Sequence, residues 1–144
     1  MWGEGGFKYD SLNQGYLGDC WFLSTMENVG NRDPNLVKNL FLGQDLNNSR
    51  IYGIQLYDLG VPTTVVIDDY LPFYSWGDAV LGKPSDNKGL WPMLLEKAFS
   101  KFHGNFHAVE GGEPSRSLEV LTSYPGSYKS NSGRTVDDLW NELV

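Results

Sequence analysis

Residues 14–23 contain the side chains best suited to chemistry, in the order Gln-Gly-Tyr-Leu-Gly-Asp-Cys-Trp-Phe-Leu. Cys20 is the only cysteine in the chain, and an apolar helical pattern starts directly after it. A thiol attacks as the thiolate, so the pKa of about 8.5 that is typical of a free cysteine has to be lowered. Unpaired N–H groups and the positive dipole end at a helix start favour the thiolate. The position of Cys20 therefore indicates a nucleophile.

Gln14 and the glycines that follow it fit the same chemistry. Attack of a thiolate on an amide builds an oxyanion, which needs hydrogen-bond donors already directed at it. The backbone N–H of Cys20 and the side-chain amide of Gln14 are two such donors, and Gly15 and Gly18 let the connecting loop fold back tightly. A lone cysteine is otherwise most often a small buried hydrophobe, but this context favours the nucleophile.

A cysteine nucleophile also needs a base, usually a histidine that a third group orients. His103 and His107 follow Cys20 by 83 and 87 residues. Papain-type arrangements place the histidine about 130–150 residues after the cysteine, which is beyond residue 144. We expect His103 to end a helix whose C-terminus favours its cation, and His107 to lie in a surface loop. The chain then holds the nucleophile and the oxyanion donors without the base.

The elements around Cys20 follow from hydrophobic periodicity. Asp19 is predicted to begin a helix as its N-cap or in its first turn, and Gly30 is predicted to end it, with one apolar face buried. Further helices are predicted to begin at Asp33-Pro34 and at Thr135, and to cover residues 90–103 and 115–123.

The helix over 90–103 has a broad apolar face, and Glu96, Lys97 and Lys101 are assigned to its solvated face. Alternation over 52–57 and a Val/Ile/Thr-rich run over 61–70 predict a β-hairpin whose second strand is largely buried. Asp68 and Asp69 at its end are either a metal pair or, more often, acceptors for turn amides. The long loop over 72–89 indicates a functional or variable segment.

Composition narrows the functional classes. The chain has 144 residues with 18 acidic and 11 basic side chains, a net charge of −7, which argues against nucleic-acid or anionic membrane surfaces. No apolar run approaches the ~18–20 residues of a membrane span, and no signal peptide is recognisable. A single cysteine cannot form an internal disulfide, which favours a reducing compartment. We expect a cytoplasmic location, with no nucleic acid and no membrane span.

The motif over 14–23 resembles the nucleophile motif of the calpain cysteine proteases, although papain-type enzymes share its Gln-to-Cys spacing. Three later stretches are similar to calpain segments in calpain order. They are Val-Val-Ile-Asp-Asp-Tyr-Leu-Pro over 65–72, Leu-Trp-Pro-Met-Leu-Leu-Glu-Lys-Ala-Phe over 90–99, and His-Gly-Asn-Phe over 103–106 with Glu-Gly-Gly over 110–112.

The resemblance implies an α+β fold, the papain-like left-half subdomain, in which a buried helix carries the cysteine at its N-terminus beside further helices and a small antiparallel sheet. It implies that 1–144 is the first protease-core subdomain, with a compact core over 13–125 and a Gly/Ser-rich segment and helix over 126–144. It also implies that Cys20 is the nucleophile, that Gln14 completes the oxyanion hole, and that Gly18, Gly111 and Gly112 bind substrate. The family's His and Asn come from a second subdomain.

Calpains also close their two core subdomains around calcium. The positions that correspond to two of the family's carboxylate ligands hold Ser11 and Gly89, neither of which is a charged ligand, and hard cations prefer several oxygen ligands. Asp10 and Asp86 lie near these positions. The sequence itself therefore requires no cofactor, and calcium is implied by the resemblance alone.

Two functions remain open at this point. The first is an intracellular calpain-like thiol endopeptidase that cleaves protein substrates through an acyl-thioester and is inactive without the second subdomain. The alternative is a non-catalytic, calpain-like regulatory or protein-binding module, for which aromatic residues such as Trp76 and Trp140 would serve as interface.

Overall fold

The computed structural model describes residues 1–9, 12–85 and 89–143, with the side chain of Leu143 excepted. Two small antiparallel sheets and five α-helices make up these residues, which confirms the α+β prediction. In chain order they are β1 (Leu12–Asn13), α1 (Cys20–Arg32), α2 (Pro34–Lys38), β2 (Ile51–Asp58), β3 (Val61–Asp68), β4 (Lys83–Pro84), α3 (Trp91–Phe102), a 3-10 turn (His107–Val109), α4 (Pro114–Thr122) and α5 (Val136–Leu143).

Helix α1 is buried along the face that the sequence predicts, and it runs two residues past Gly30. Gly30 does not end the helix. It lies against the N-terminal segment, since a Cβ built on it would be 3.1 Å from Tyr9 Cβ and 3.3 Å from the ring of Phe7. The helix ends where Asp33 adopts an extended conformation before Pro34, as residues preceding proline tend to do.

Helices α1 and α3 pack through aromatic side chains at the centre of the core. The rings of Phe22 and Phe99 stack with centroids 3.8 Å apart, and Trp21 meets Phe99 edge to face at 5.4 Å. Both phenylalanines are fully buried. Aromatic pairs in such arrangements contribute about 0.5–1.5 kcal/mol beyond the area they bury.

The prediction that α3 has a solvated face is wrong at Glu96. Lys97 and Lys101 reach the end of the hairpin, where their Nζ atoms donate to Asp68 and to the carbonyl of Val66. Glu96, in contrast, is completely buried. Nearly every residue from Trp91 to Ser100 is buried, so α3 has almost no solvated face in its first turns.

Strands β2 and β3 pair in register from Ile51 opposite Asp68 to Asp58 opposite Val61, with Leu59 and Gly60 both at positive φ in the turn. Positive φ at both central residues is the geometry that a two-residue hairpin favours. The prediction of a largely buried second strand is wrong, because β3 buries only alternate residues, on the face that packs against α3.

Asp68 acts as the turn-amide interpretation predicts, whereas Asp69 forms an ion pair instead. Asp68 accepts a hydrogen bond from the backbone N–H of Tyr70 at 2.8 Å, and Asp69 pairs with Arg50 at 2.7 Å. The hydrogen bond from Lys97 holds the pKa of Asp68 below its usual range. Within the described ranges, no group of three or more acidic, histidine or cysteine side chains is placed to hold a metal ion.

The loop before α1 is fastened to the long loop that follows the hairpin. The carbonyl oxygen of Val80 accepts hydrogen bonds from the backbone N–H groups of Tyr16, at 2.8 Å, and Leu17, at 3.1 Å. A Cβ on Gly15 would overlap that oxygen and lie 2.6 Å from the carbonyl oxygen of Leu81. Glycine is therefore required at position 15 by close backbone approach.

The same two loops meet through side chains. Asp78 accepts hydrogen bonds from the hydroxyl of Tyr16 at 3.0 Å and from the indole N–H of Trp76 at 2.8 Å. The hydrogen bond to Asp78 raises the pKa of Tyr16. Trp76 also stacks on Tyr74 with ring centroids 4.4 Å apart. These contacts order the middle of the long loop beside residues 14–17.

Packing of the hairpin can be tested with one chemical change at two positions of β2. Ile54 is fully buried, whereas Ile51 is 55% exposed. We expect Ile54→Val to lower the free energy of unfolding by about 0.5–1.5 kcal/mol, because it leaves a cavity, and Ile51→Val to change it much less. Urea denaturation measures both, and equal losses would contradict the described burial.

Attachment of the loop at Val80 can be tested with glycine substitutions. We expect Gly15→Ala to lower the free energy of unfolding by about 1–3 kcal/mol, because the added methyl group displaces the Val80 carbonyl. Gly43→Ala is the matched control, since a Cβ there meets nothing within 4 Å. Urea denaturation curves for the two variants give the comparison, and a Gly15→Ala variant as stable as Gly43→Ala would contradict the close approach.

Candidate active site

Cys20 is the first residue of α1 and is exposed to solvent, although Trp21, Phe22 and Leu23 directly after it are buried. The backbone carbonyl of Asp19 accepts the N–H groups of Phe22 at 2.8 Å and Leu23 at 3.1 Å, which closes the first turn. A helix start has N–H groups without intrahelical acceptors and a partial positive charge. The thiol therefore lies where both features reach it and where a substrate can approach.

Gln14 lies beside the thiol. Gln14 and Cys20 line the same surface depression of about 170 Å³, together with Leu12, Leu23, Ser24 and Glu27. The Nε2 atom of Gln14 donates to the carbonyl of Leu17 at 2.8 Å, which fixes the amide against its own loop. A primary amide has a second N–H, so this contact leaves one donor of Gln14 for another acceptor.

The three glycines predicted to bind substrate lie together next to α1. The backbone N–H of Gly111 donates to the carbonyl of Gly18 at 2.9 Å. A Cβ on Gly112 would lie 2.5–2.8 Å from the indole ring of Trp21, and the Nε1 atom of Trp21 donates to the carbonyl of Val109 at 2.9 Å. Trp21 thus holds residues 109–112 alongside the start of α1, with the three glycines exposed.

Neither histidine lines the depression that contains Cys20 and Gln14. The ring of His103 packs against Phe99, with centroids 4.5 Å apart, and desolvation together with the nearby Arg116 lowers its pKa. This direction is opposite to the one predicted from the helix C-terminus, although His103 remains exposed to solvent. The side chain of His107 is 91% exposed, and its Nδ1 lies 3.1 Å from Glu110 Oε2.

Asp19 and Glu96 are the site residues that sequence reasoning missed. Asp19 has the N-cap position but makes no capping hydrogen bond with its side chain, and both carboxyl groups are completely buried. Burial raises the pKa of each, and the charge of Asp19 raises that of Glu96 further. The uninterrupted apolar run over 90–95 was the available signal, since a helix apolar on all sides is buried on all sides.

The residues that the structure describes do not fit the calcium ligand set that the resemblance implies. Gly89 has no side-chain oxygen, and a Cβ there would lie 3.2 Å from both the carbonyl oxygen of Trp2 and Cδ1 of Trp91. Ser11, Asp10 and Asp86 lie outside the described residues. We therefore derive no step that uses calcium.

In the part of the chain that the structure describes, none of the helices combines the length and the apolar character that crossing a lipid bilayer requires. The longest of them, α1, has 13 residues.

Comparison with known proteins gives the same family for nearly the whole chain. The model of the calpain family of cysteine proteases matches residues 2–144. The calpain-type cysteine protease DEK1 of Zea mays is 32% identical over 98% of this chain. Calpain-B of Drosophila melanogaster is 33% identical over 83% of it, and the calpain-1 catalytic subunit of Homo sapiens is 35% identical over 76% of it.

The matched region is a small part of each relative. It covers 7% of the DEK1 protein, 13% of Calpain-B and 15% of the calpain-1 catalytic subunit. The family model spans all the elements described above. The family assignment therefore includes the region around Cys20 and Gln14. This chain belongs to the calpain family of cysteine proteases.

Proposed function

We propose that this chain is the nucleophile-bearing half of a calpain-type protease core, which cleaves protein substrates through an acyl-thioester. The observation that supports it best is the exposed Cys20 at the first residue of a buried helix, with Gln14 in the same depression. A reactive cysteine requires an accessible sulfur, and the helix start provides a partial positive charge beside it.

In the proposed reaction the thiolate of Cys20 attacks the carbonyl carbon of the scissile amide, and the C=O π electrons move to oxygen. The backbone N–H of Cys20 and the free N–H of Gln14 donate to this oxyanion. The tetrahedral intermediate collapses, the C–N bond breaks, and the amine leaves with a proton from a general acid. Water then hydrolyses the thioester, which releases the carboxylic acid and restores the thiol.

The proton donor and acceptor of this reaction is proposed to be a histidine, oriented by an asparagine, from a second subdomain. The ring of His103 packs on Phe99, His107 pairs with Glu110, and neither lines the depression that contains Cys20, so neither is a candidate for the base. On this proposal, residues 13–125 form the compact core of the first subdomain, 126–144 lead toward the second, and the protein acts in the reducing environment of the cytoplasm.

The glycines beside α1 are proposed to bind the substrate backbone. Gly18, Gly111 and Gly112 present exposed main chain beside the start of α1, and a Cβ on Gly111 would meet nothing within 4 Å, which leaves room for an extended peptide. Main-chain hydrogen bonds of this kind provide affinity without strict sequence selection. Gly111 has a φ of 74°, which glycine adopts without strain.

A non-catalytic binding module is the second candidate. Trp76 and Trp140 are each 65% exposed, and exposed tryptophans are enriched at protein interfaces. The remainder of the gene distinguishes the two functions. A downstream histidine followed by an asparagine motif supports the peptidase, and absence of both supports the binding module.

The role of Gln14 can be tested in the full-length protein. We expect Gln14→Ala to lower kcat for a peptide substrate by about 10²–10³-fold with a smaller change in KM, because one oxyanion donor is lost. Gln44→Ala is the matched control, since Gln44 is exposed outside the depression. Steady-state kinetics gives both constants, and an unchanged kcat for Gln14→Ala would refute its role.

The chain alone is expected to react without turning over. Iodoacetamide should label Cys20 near neutral pH faster than it labels the thiol of an unstructured peptide, because the helix start favours the thiolate. Mass spectrometry then shows one adduct per chain, since Cys20 is the only thiol.

A peptide substrate should meanwhile remain intact, because the chain lacks the base. Peptide turnover by the isolated chain that Cys20→Ala abolishes would contradict the missing-base proposal. Labelling no faster than that of the free thiol would count against the activated nucleophile.

A further inference from the structure

Two carboxyl groups are buried directly beneath the start of α1. Asp19 precedes Cys20 in the chain, and Glu96 approaches from α3; both residues have no solvent-exposed surface. Glu96 Oε2 accepts the backbone N–H of Gly82 at 2.6 Å. Among the described residues, no N–H or neutral hydroxyl donates to Glu96 Oε1 or to either carboxyl oxygen of Asp19.

Two ionised carboxylates do not remain side by side in such a place. An unpaired buried charge costs several kcal/mol, and a second like charge next to it costs more. The remaining oxygens of the two groups can hydrogen-bond to one another only if one group carries a proton. Burial raises the pKa of Asp19 to about 6, and burial together with the charge of Asp19 raises that of Glu96 to about 9. One proton therefore remains on the pair at neutral pH, and the higher pKa of Glu96 favours that residue as its carrier.

We propose that Glu96 and Asp19 share one proton, with the Glu96 hydroxyl donating to the Asp19 carboxylate, and that this pair positions the first turn of α1 and therefore Cys20. The shared proton stands on its own observations, whereas the catalytic consequence rests on the proposed function of Cys20. Glu96 and Asp19 are positioning residues, since neither reaches the depression in which the thiol lies.

Among the described residues, the groups that surround the pair provide no other titratable proton. Facing Glu96, α1 presents Asp19 and the apolar side chain of Leu23, and the loop at Gly82 presents a backbone N–H. Within the described chain, Asp19 is the charged group whose field raises the pKa of Glu96, whereas Glu96 acts on Asp19 through a side-chain hydrogen bond. No lysine or arginine there neutralises the pair, so a proton has to.

The arrangement connects the pair to the nucleophile through the backbone. The Asp19 carbonyl accepts the N–H groups of Phe22 and Leu23, so a displaced Asp19 moves the first turn of the helix. Placement errors of about 1 Å are enough to lower a catalytic rate by on the order of 10²-fold. The hydrogen bond that the Glu96 proton makes thus keeps Asp19 in place beneath Cys20.

Titration of the carboxyl groups tests the proton directly. Carboxyl ¹³C NMR of the chain labelled at Glu and Asp side chains, assigned with Glu96→Gln, should show Glu96 protonated at pH 7 and titrating toward about pH 9. A Glu96 signal that is already ionised at pH 7 would overturn the inference, whatever the peptidase activity is.

Stability against pH gives an independent test. Between about pH 6.5 and 9 the folded chain keeps the Glu96 proton and the unfolded chain does not, so raising the pH lowers the stability of the unmodified chain. Glu96→Gln cannot ionise, so its stability should not fall in this way. As the pH is raised over this range, its urea midpoint should therefore increase relative to that of the unmodified chain.

The control is Glu119→Gln, because Glu119 also accepts a glycine backbone N–H, from Gly126 at 2.9 Å, without full burial. The difference in urea midpoint between Glu119→Gln and the unmodified chain should not change over the same pH range. A parallel pH dependence for Glu96→Gln and the unmodified chain would overturn the shared proton.

Kinetics of the full-length protein tests the positioning. Glu96→Ala should lower kcat by on the order of 10²-fold, and Glu96→Gln should retain most of kcat, because its amide still donates to Asp19. If Glu96→Ala does not fold, kcat is compared between Glu96→Gln and Glu96→Leu. The two side chains fill similar volumes, but only the glutamine can donate a hydrogen bond to Asp19. Equal kcat in the variants with and without a donor would refute the positioning role.

Discussion

The structure depends on one constraint, that a helix has to be buried while its first residue stays in solvent. The face of α1 that contains Phe22 and Met26 is fully buried against the core, and the ring of Phe22 stacks on Phe99 of α3. Interiors are packed like molecular crystals, so a helix held in this way cannot shift its axis. Cys20, one residue before the buried stretch, inherits that rigidity without losing access to solvent.

Backbone contacts around α1 complete the site with very little side-chain chemistry. The Val80 carbonyl holds the loop that carries Gln14, and the Gly18 carbonyl holds Gly111. Glycine is required at position 15 because the Val80 main chain approaches closely, and at position 112 because the indole ring of Trp21 occupies the space of a Cβ. Membership of the calpain family of cysteine proteases makes Cys20, beside these contacts, the candidate nucleophile.

Charged side chains lie in very different surroundings on the two sides of α3. At its outer side, Lys97 and Lys101 satisfy the acceptors at the end of the hairpin, where water reaches both partners. At its inner side, Glu96 and Asp19 face each other without a basic partner. Surface ion pairs contribute about 0–1 kcal/mol, whereas a buried carboxyl pair is costly unless it keeps a proton. The inner side therefore constrains the start of α1 more strongly than the outer side does.

The sequence by itself determined the features that local interactions control. Periodicity located α1 and α3, the turn residues located the hairpin, and the motif spacing placed Cys20 at a helix start beside Gln14. Only the tertiary structure decided that Glu96 is buried, that Gly30 packs against Tyr9 instead of ending α1, and that β3 is buried on one face. These outcomes depend on which distant segments pack against a residue, and neither helical nor strand periodicity contains that information. The burial of Asp19 also depends on distant segments, because a cap residue is exposed or buried according to which segments pack over the helix end.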